Sequence, residues 1–173
     1  MDELRFPIGQ FQKPEPITQN QIMAWIEEID SFPQKLSDLT QNLSVDQLNL
    51  TYRPHGWSVK QVVHHCADSH MNSIIRLKLA LTEDEPEIRP YYENRWAELV
   101  DGKDDDIKDS LQLITAVHGK WVKLLNGLTP EEMDREFIHP EHGQRFSIAE
   151  NIGIYAWHCN HHLAHIQLAM ANK

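Results

Sequence analysis

Apolar residues recur at steps of three and four along four stretches of this chain, the period of a helix with one buried face. The first stretch, Thr18–Leu43, carries Ile22, Trp25, Ile26, Ile29, Phe32, Leu36 and Leu39, with Pro33 predicting a kink or a break inside it. The second opens at the capping-box pattern Ser58-Val-Lys-Gln61 and extends to about Leu81, with Val59, Val62, Val63, Cys66, Ile74 and Leu77 on its stripe. The third spans Ile107–Leu128 through Leu111, Ile114, Val117, Trp121, Leu124 and Leu125. The fourth starts at another capping box, Ser147-Ile-Ala-Glu150, and runs to the C-terminus with Ile148, Ile152, Tyr155, Cys159, Leu163, Ile166 and Met170 on one face.

The segments between them are short elements or loops. Ser44-Val-Asp-Gln47 and Thr129-Pro-Glu-Glu132 each read as the start of a short helix, the second with proline at its first helical position. Residues 49–57 hold Pro54 and Gly56 and read as a loop, Arg95–Val100 as a short helix, and Phe137–Gln144 as a loop or small hairpin. Residues 1–16, with three prolines and no helical or strand period, predict an extended arm packed on the body or on a partner subunit. The expected fold is all-α: an antiparallel four-helix bundle with long crossover loops, one domain over residues 1–173. The connections 82–106 and 129–146 are long for a simple bundle, and such segments often cover a site.

Composition narrows the class. With 173 residues, 40% hydrophobic and 24% charged, the chain can bury one core. A net charge of −10 argues against nucleic acid, which needs a basic stripe, and against anionic lipid. No apolar run approaches the length of a membrane span, and the first residues lack the charged-then-apolar pattern of a secretion signal. The 2 cysteines, Cys66 and Cys159, build no disulfide framework, so reduced thiols and a cytoplasmic location are expected.

The 11 histidines change the picture because they cluster, at 64, 65 and 70 and at 158, 161, 162 and 165. His158 and His162 are one helical turn apart, a spacing that brings two imidazoles to one ion. Both flank the apolar stripe of the fourth helix, whereas His161 and His165 fall farther toward solvent. Cys159 stands where the glutamate of an H-E-x-x-H protease would be, so that mechanism is excluded. In the second helix His70 lies near the centre of the stripe and reads as a buried, hydrogen-bonded histidine. His64 and His65 straddle the stripe on opposite sides, and periodicity does not choose between them. His65 shares a polar flank with Ser69, Asn72 and Arg76, as a pocket lining would; His64 is then expected to be exposed.

The runs Gly56-Trp-Ser-Val-Lys-Gln-Val-Val-His-His-Cys-Ala-Asp-Ser-His70 and Tyr155-Ala-Trp-His-Cys-Asn-His-His-Leu-Ala-His165 resemble the DinB/YfiT-like superfamily, and within it the Bacillus YfiT group of metal-dependent hydrolases. The likeness extends over nearly the whole chain, including Phe6–Gly9 and Ile88–Tyr91. It implies a four-helix bundle holding one divalent metal per subunit on His65, His158 and His162, with His65 selected over His64, and it implies a homodimer. Three imidazoles leave coordination positions open, as catalytic rather than structural zinc does. Zn(II) is therefore expected first, with Ni(II) or another divalent metal able to take the same site. Two reactions on a small-molecule substrate fit. One is hydrolysis; the other is thiol S-transfer, since the superfamily includes bacillithiol-dependent transferases and maleylpyruvate isomerases. A non-catalytic metal-binding stress protein would instead have a site sealed by protein groups. Asp68 and Glu150 are candidate bases only by closeness in sequence, and capping or surface roles fit them as well.

Overall fold

The computed structural model describes residues 2–141 and 143–171, with the side chains of residues 2 and 3 left aside. The four amphipathic stretches are its four long helices: α2 (Gln19–Thr40), α4 (Val59–Thr82), α6 (Lys108–Leu125) and α8 (Ile148–Ala171). Around them lie α1 (Asp2–Arg5), α3 (Val45–Leu48), α5 (Glu93–Trp96), a 3-10 turn at Asp101–Lys103, α7 (Pro130–Met133) and the hairpin β1 (Glu136–His139) and β2 (Gln144–Ser147). Residues 172 and 173, expected within the last helix, lie outside the described residues.

Capping chemistry sets the starts. Thr18, Ser44, Ser58 and Thr129 each accept from the backbone three residues on, while Gln21, Gln47, Gln61 and Glu132 return a bond to the cap. At α8 only half of this device forms, because the Glu150 side chain turns to Lys13 at 2.9 Å instead. The helix expected at Arg95–Val100 begins two residues earlier and stops at Trp96, and α6 ends at Leu125 rather than Leu128. Pro33 does not break α2, which continues for seven residues beyond it to Thr40. Proline has no N–H, so the carbonyl of Ile29, four residues back, loses its helical donor.

The four helices form a bundle in which α2 packs on α6 and α8, and α4 packs on the same two. Consecutive long helices α2 and α4 are thus diagonal to one another, as are α6 and α8. The pairs His65–His158, Ser69–Tyr155 and Ser73–Asn151 show that α4 and α8 run in opposite directions. The pairs His64–Ser110 and His70–His118 show that α4 and α6 run the same way, which is why a long crossover joins them. The interior holds two apolar clusters, one around Trp121, Ile148 and Ile152, the other around Phe32, Val63 and Ile114.

Residues 6–17 lie along the bundle as the extended segment expected, after the unforeseen helical turn α1. Trp157 Nε1 donates to the Gly9 carbonyl at 3.0 Å, and Phe11 meets Trp25 edge-on. Gly153 permits that approach: a Cβ there would come within 2.9 Å of both rings. No helix among the described residues is long and apolar enough to cross a membrane.

Candidate metal centre

His65 projects from α4 and His158 and His162 from consecutive turns of α8, and the antiparallel packing of the two helices brings them face to face. Nε2 of His158 lies 3.2 Å from Nε2 of His65 and 3.1 Å from Nε2 of His162. A tetrahedral ion with metal–nitrogen bonds of about 2.0–2.1 Å separates its nitrogen ligands by about 3.3 Å. The spacing therefore fits one ion on the three histidines expected from the sequence, whose donor atoms all lie within 4.8 Å of one another. A second group, His161, His162 and His165, has its donor atoms equally close together.

All of these rings resist protonation. Burial lowers His65 to about 3, with the nearby His161 and His165 adding to the effect. Burial also holds His158 and His162 well below the usual imidazole range, and His161 and His165 at about 4. Neutral imidazole is the form that binds a metal.

The trio borders a cavity of about 670 Å³. Ser69 and Arg76 line its α4 side, with Tyr91 from the connection before α5 also at its wall, so the polar flank read from the sequence is largely a cavity wall. Asn72 is the exception, donating instead to the Asp68 carbonyl at 2.8 Å. Asp68 and Glu150 do not line the cavity. Burial raises Asp68 to about 6, with Asp101 adding to it, and Glu150 is ion-paired to Lys13. The carboxylates that do line it are Glu93 and Glu141.

Two expectations are corrected. His64 is buried, not exposed: Nδ1 lies 2.8 Å from Ser110 Oγ and Nε2 lies 3.0 Å from the Asp104 carbonyl, so the 3-10 turn and α6 cover it. His161 and His165 are also buried, although the helical wheel turns them outward. Trp157 stacks on His161 at 4.4 Å and Phe6 packs on it at 5.9 Å, and Tyr52 stacks on His165 at 3.8 Å. The segments that cover them, residues 5–9 and the 49–57 loop, lie outside any single-helix pattern. Cys66 and Cys159 are free and fully buried, and burial raises both thiols, so neither competes as a ligand.

His70 is fully buried and hydrogen-bonded, as its stripe position indicated. Its partners were not foreseen. Nε2 of His70 lies 3.1 Å from His158 Nδ1, and its Nδ1 lies 2.7 Å from Nε2 of His118 on α6. His118 Nδ1 lies 2.6 Å from the Ile29 carbonyl. A signal existed: His118 sits on the α6 stripe between Ile114 and Trp121, where a polar residue needs a buried partner.

A sequence profile of the DinB superfamily matches residues 28–166, most of the chain and both histidine clusters. The chain belongs to the DinB superfamily. A protein of Oceanobacillus iheyensis named "putative metal-dependent hydrolase" is 52% identical over 162 residues, covering 94% of this chain and 93% of that one. A Bacillus cereus protein of the same name is 49% identical over 166 residues, covering 96% and 95%. The solved structure of YfiT from Bacillus subtilis, described as a probable metal-dependent hydrolase with an unusual four-helix bundle topology, superposes with a TM-score of 0.95. It is 43% identical and covers 98% of this chain and 97% of its own. For this DinB-superfamily chain the diagonal placement of consecutive long helices puts α4 beside α8, and so makes the histidine trio possible.

Proposed function

We propose that this protein is a metal-dependent hydrolase acting on a small molecule, with one divalent ion, Zn(II) in first place, held by His65, His158 and His162. The observation that carries the reading is that three converging, neutral imidazole nitrogens border a cavity large enough for a substrate. A non-catalytic, stabilising site would be closed by protein groups, and this one opens on the cavity. When bound at such a site, a divalent ion acts as a Lewis acid and brings the pKa of water down to about 7.

The chain's own residues orient and bind. The Tyr91 hydroxyl lies 3.5 Å from His65 Nδ1, and burial keeps this phenol protonated. Arg5, Arg53 and Arg76 are three cationic residues that line the cavity of a chain whose net charge is −10. The Nε of Arg76 is buried without a hydrogen-bond partner, a donor for a carboxylate or another anionic group of the substrate. Arg76 follows His65 by eleven positions on α4, about 16 Å along the helix axis before the side chain reaches back. An elongated substrate, with its anionic end remote from the reacting bond, suits that separation.

The test is turnover of a panel of carboxylate-bearing esters and amides by metal-loaded protein. Hydrolysis that His158→Ala abolishes, and for which Arg76→Ala raises KM more than it lowers kcat, is the expected result. Failure to hydrolyse any of the panel, together with turnover of an electrophile only when a low-molecular-weight thiol is present, would replace hydrolysis by thiol transfer.

A further inference from the structure

The metal-facing nitrogens can bind an ion only as lone pairs, so the proton of each neutral ring must sit on the other nitrogen. A chain of hydrogen bonds decides where those protons are, because its ends are fixed. The Ile29 carbonyl can only accept, and Pro33 leaves it without a helical donor. His118 therefore donates from Nδ1 to Ile29 at 2.6 Å, and its Nε2 accepts. His70 must then donate from Nδ1 to His118 at 2.7 Å and accept on Nε2. His158 in turn donates from Nδ1 to His70 at 3.1 Å, which leaves its Nε2 a lone pair facing His65 and His162.

A second line does the same for His162. The Arg5 carbonyl accepts from His165 Nε2 at 3.1 Å, so His165 Nδ1 carries the lone pair. His162 then donates from Nδ1 to it at 3.3 Å, and Nε2 of His162 also faces inward as a lone pair. The same accounting separates the two histidine groups. Both nitrogens of His165 and the Nδ1 of His162 are engaged, so the group of His161, His162 and His165 can offer an ion only His161 and the Nε2 of His162, which already faces His158.

We propose that His70, His118 and His165 are positioning residues that hold the Nε2 atoms of His158 and His162 as metal-facing lone pairs, by tying the Nδ1–H of each to the backbone carbonyls of Ile29 and Arg5. The inference deepens the proposed function and rests on it for the identity of the ligands. Free neutral histidine favours the opposite tautomer, with the proton on Nε2, so the protein works against the default at His118, His70, His158 and His162. Without a metal the Nε2 lone pairs of His158 and His162 crowd each other at 3.1 Å, an arrangement that a cation relieves. Outer partners of metal-binding histidines set tautomer and ring orientation in this way, and removing one typically lowers metal affinity 10–100-fold.

The test begins with long-range 1H–15N correlation spectra of the metal-free, full-length protein at neutral pH. The expected spectrum shows Nδ1–H at His118, His70, His158 and His162, and Nε2–H at His165. Nε2–H at His158 or His162 overturns the proposal, and this reading needs no variant. Two substitutions then probe the line. In His118→Gln the amide can accept from His70 and donate to Ile29, and metal affinity should stay within about threefold of the parent. His118→Phe can do neither; it should move the proton of His158 to Nε2 and weaken metal binding 10–100-fold. A folded His118→Phe protein that keeps both tautomer and affinity overturns the proposal. If the tautomers are as stated but the parent takes up no divalent ion, the ligand assignment fails and the hydrogen-bond lines remain.

Discussion

The two hydrogen-bond lines that reach the histidine trio end in very different parts of the molecule. The line behind His158 runs inward through His70 and His118 to the backbone of α2, and it touches all four long helices. Phe32 packs on both intermediate rings, at 5.1 and 5.4 Å. The line behind His162 runs outward through His165 to Arg5, in the segment that precedes the bundle. That segment is held by scattered contacts: Phe6 against His161, Trp157 to Gly9, Phe11 against Trp25, Lys13 to Glu150. One of the two α8 histidines is thus oriented by the core itself, the other by an arm laid over it. Local stability should follow the same division, since segments with few buried contacts open most readily.

The largest expected effect tests the trio that both lines serve. His65→Ala, His158→Ala and His162→Ala should each lose bound metal, measured by metal analysis after desalting, while His64→Ala and His161→Ala keep it. Loss of metal in His161→Ala and His162→Ala, with metal kept in His65→Ala and His158→Ala, would move the site to the second histidine group. The next effect separates the two lines. Deleting residues 1–9 removes the Arg5 carbonyl, and should weaken metal binding by roughly the 10–100-fold range of a lost outer partner. In the same protein the ring signals of His162 and His165 should shift while those of His70 and His118 stay. Equal disturbance of both sets would show that the arm supports the bundle as a whole.

Acidification of the metal-free protein probes the inner line at a smaller scale. Burial holds His118 down to about 4 against an ordinary 6.5, partly offset by its bond to Ile29. A base with a depressed folded pKa contributes its stability above the unfolded pKa. As pH falls from about 6.5 to about 4 the unfolded chain takes up the proton first, and that stability is lost. The melting temperature should therefore fall across this window, and less steeply in His118→Gln. An unchanged slope in that variant would show that His118 is not held neutral in the fold.

How much of this was legible in the sequence depends on how many helices a feature involves. The four long helices, the capping boxes at Thr18, Ser58 and the short helices, and the His158/His162 pair are local features that follow from period and spacing alone. The box at Ser147 is only half formed, because Lys13 from the arm takes Glu150. His65 is different: its choice over His64 needs the α4–α8 contact, which one wheel does not contain, and the family resemblance supplied it. The burial of His64, His161 and His165 was misjudged for the same reason, because the 3-10 turn, the arm and the 49–57 loop cover faces that a wheel assigns to solvent. The inner line was harder still, since it joins Pro33, Ile29, His118, His70 and His158 across four helices. Only the helix-interior proline and a histidine on the α6 stripe hinted at it.

The smallest expected effect falls where the arm meets the bundle. Gly153 lies on the buried face of α8, and a Cβ there would stand 2.8 Å from Trp25 and 2.9 Å from Phe11. Gly153→Ala sets two opposed terms against each other. Alanine favours the helix by about 1 kcal/mol, while the two half-buried rings must shift to admit a methyl group, and overpacking of this kind costs about 1–3 kcal/mol. Both rings are only half-buried, so the net change in unfolding free energy should be a loss of about 1 kcal/mol, read from denaturant midpoints. The shift has a direction: Phe11 is pushed away from α8, and with it the chain leading back to Arg5. The His165 signals should therefore respond although Gly153 is three helical turns away from that ring, and His70 and His118 should not. A response at His118 would mean that the substitution reaches the core through α2, and that the arm and the inner line are coupled through Trp25.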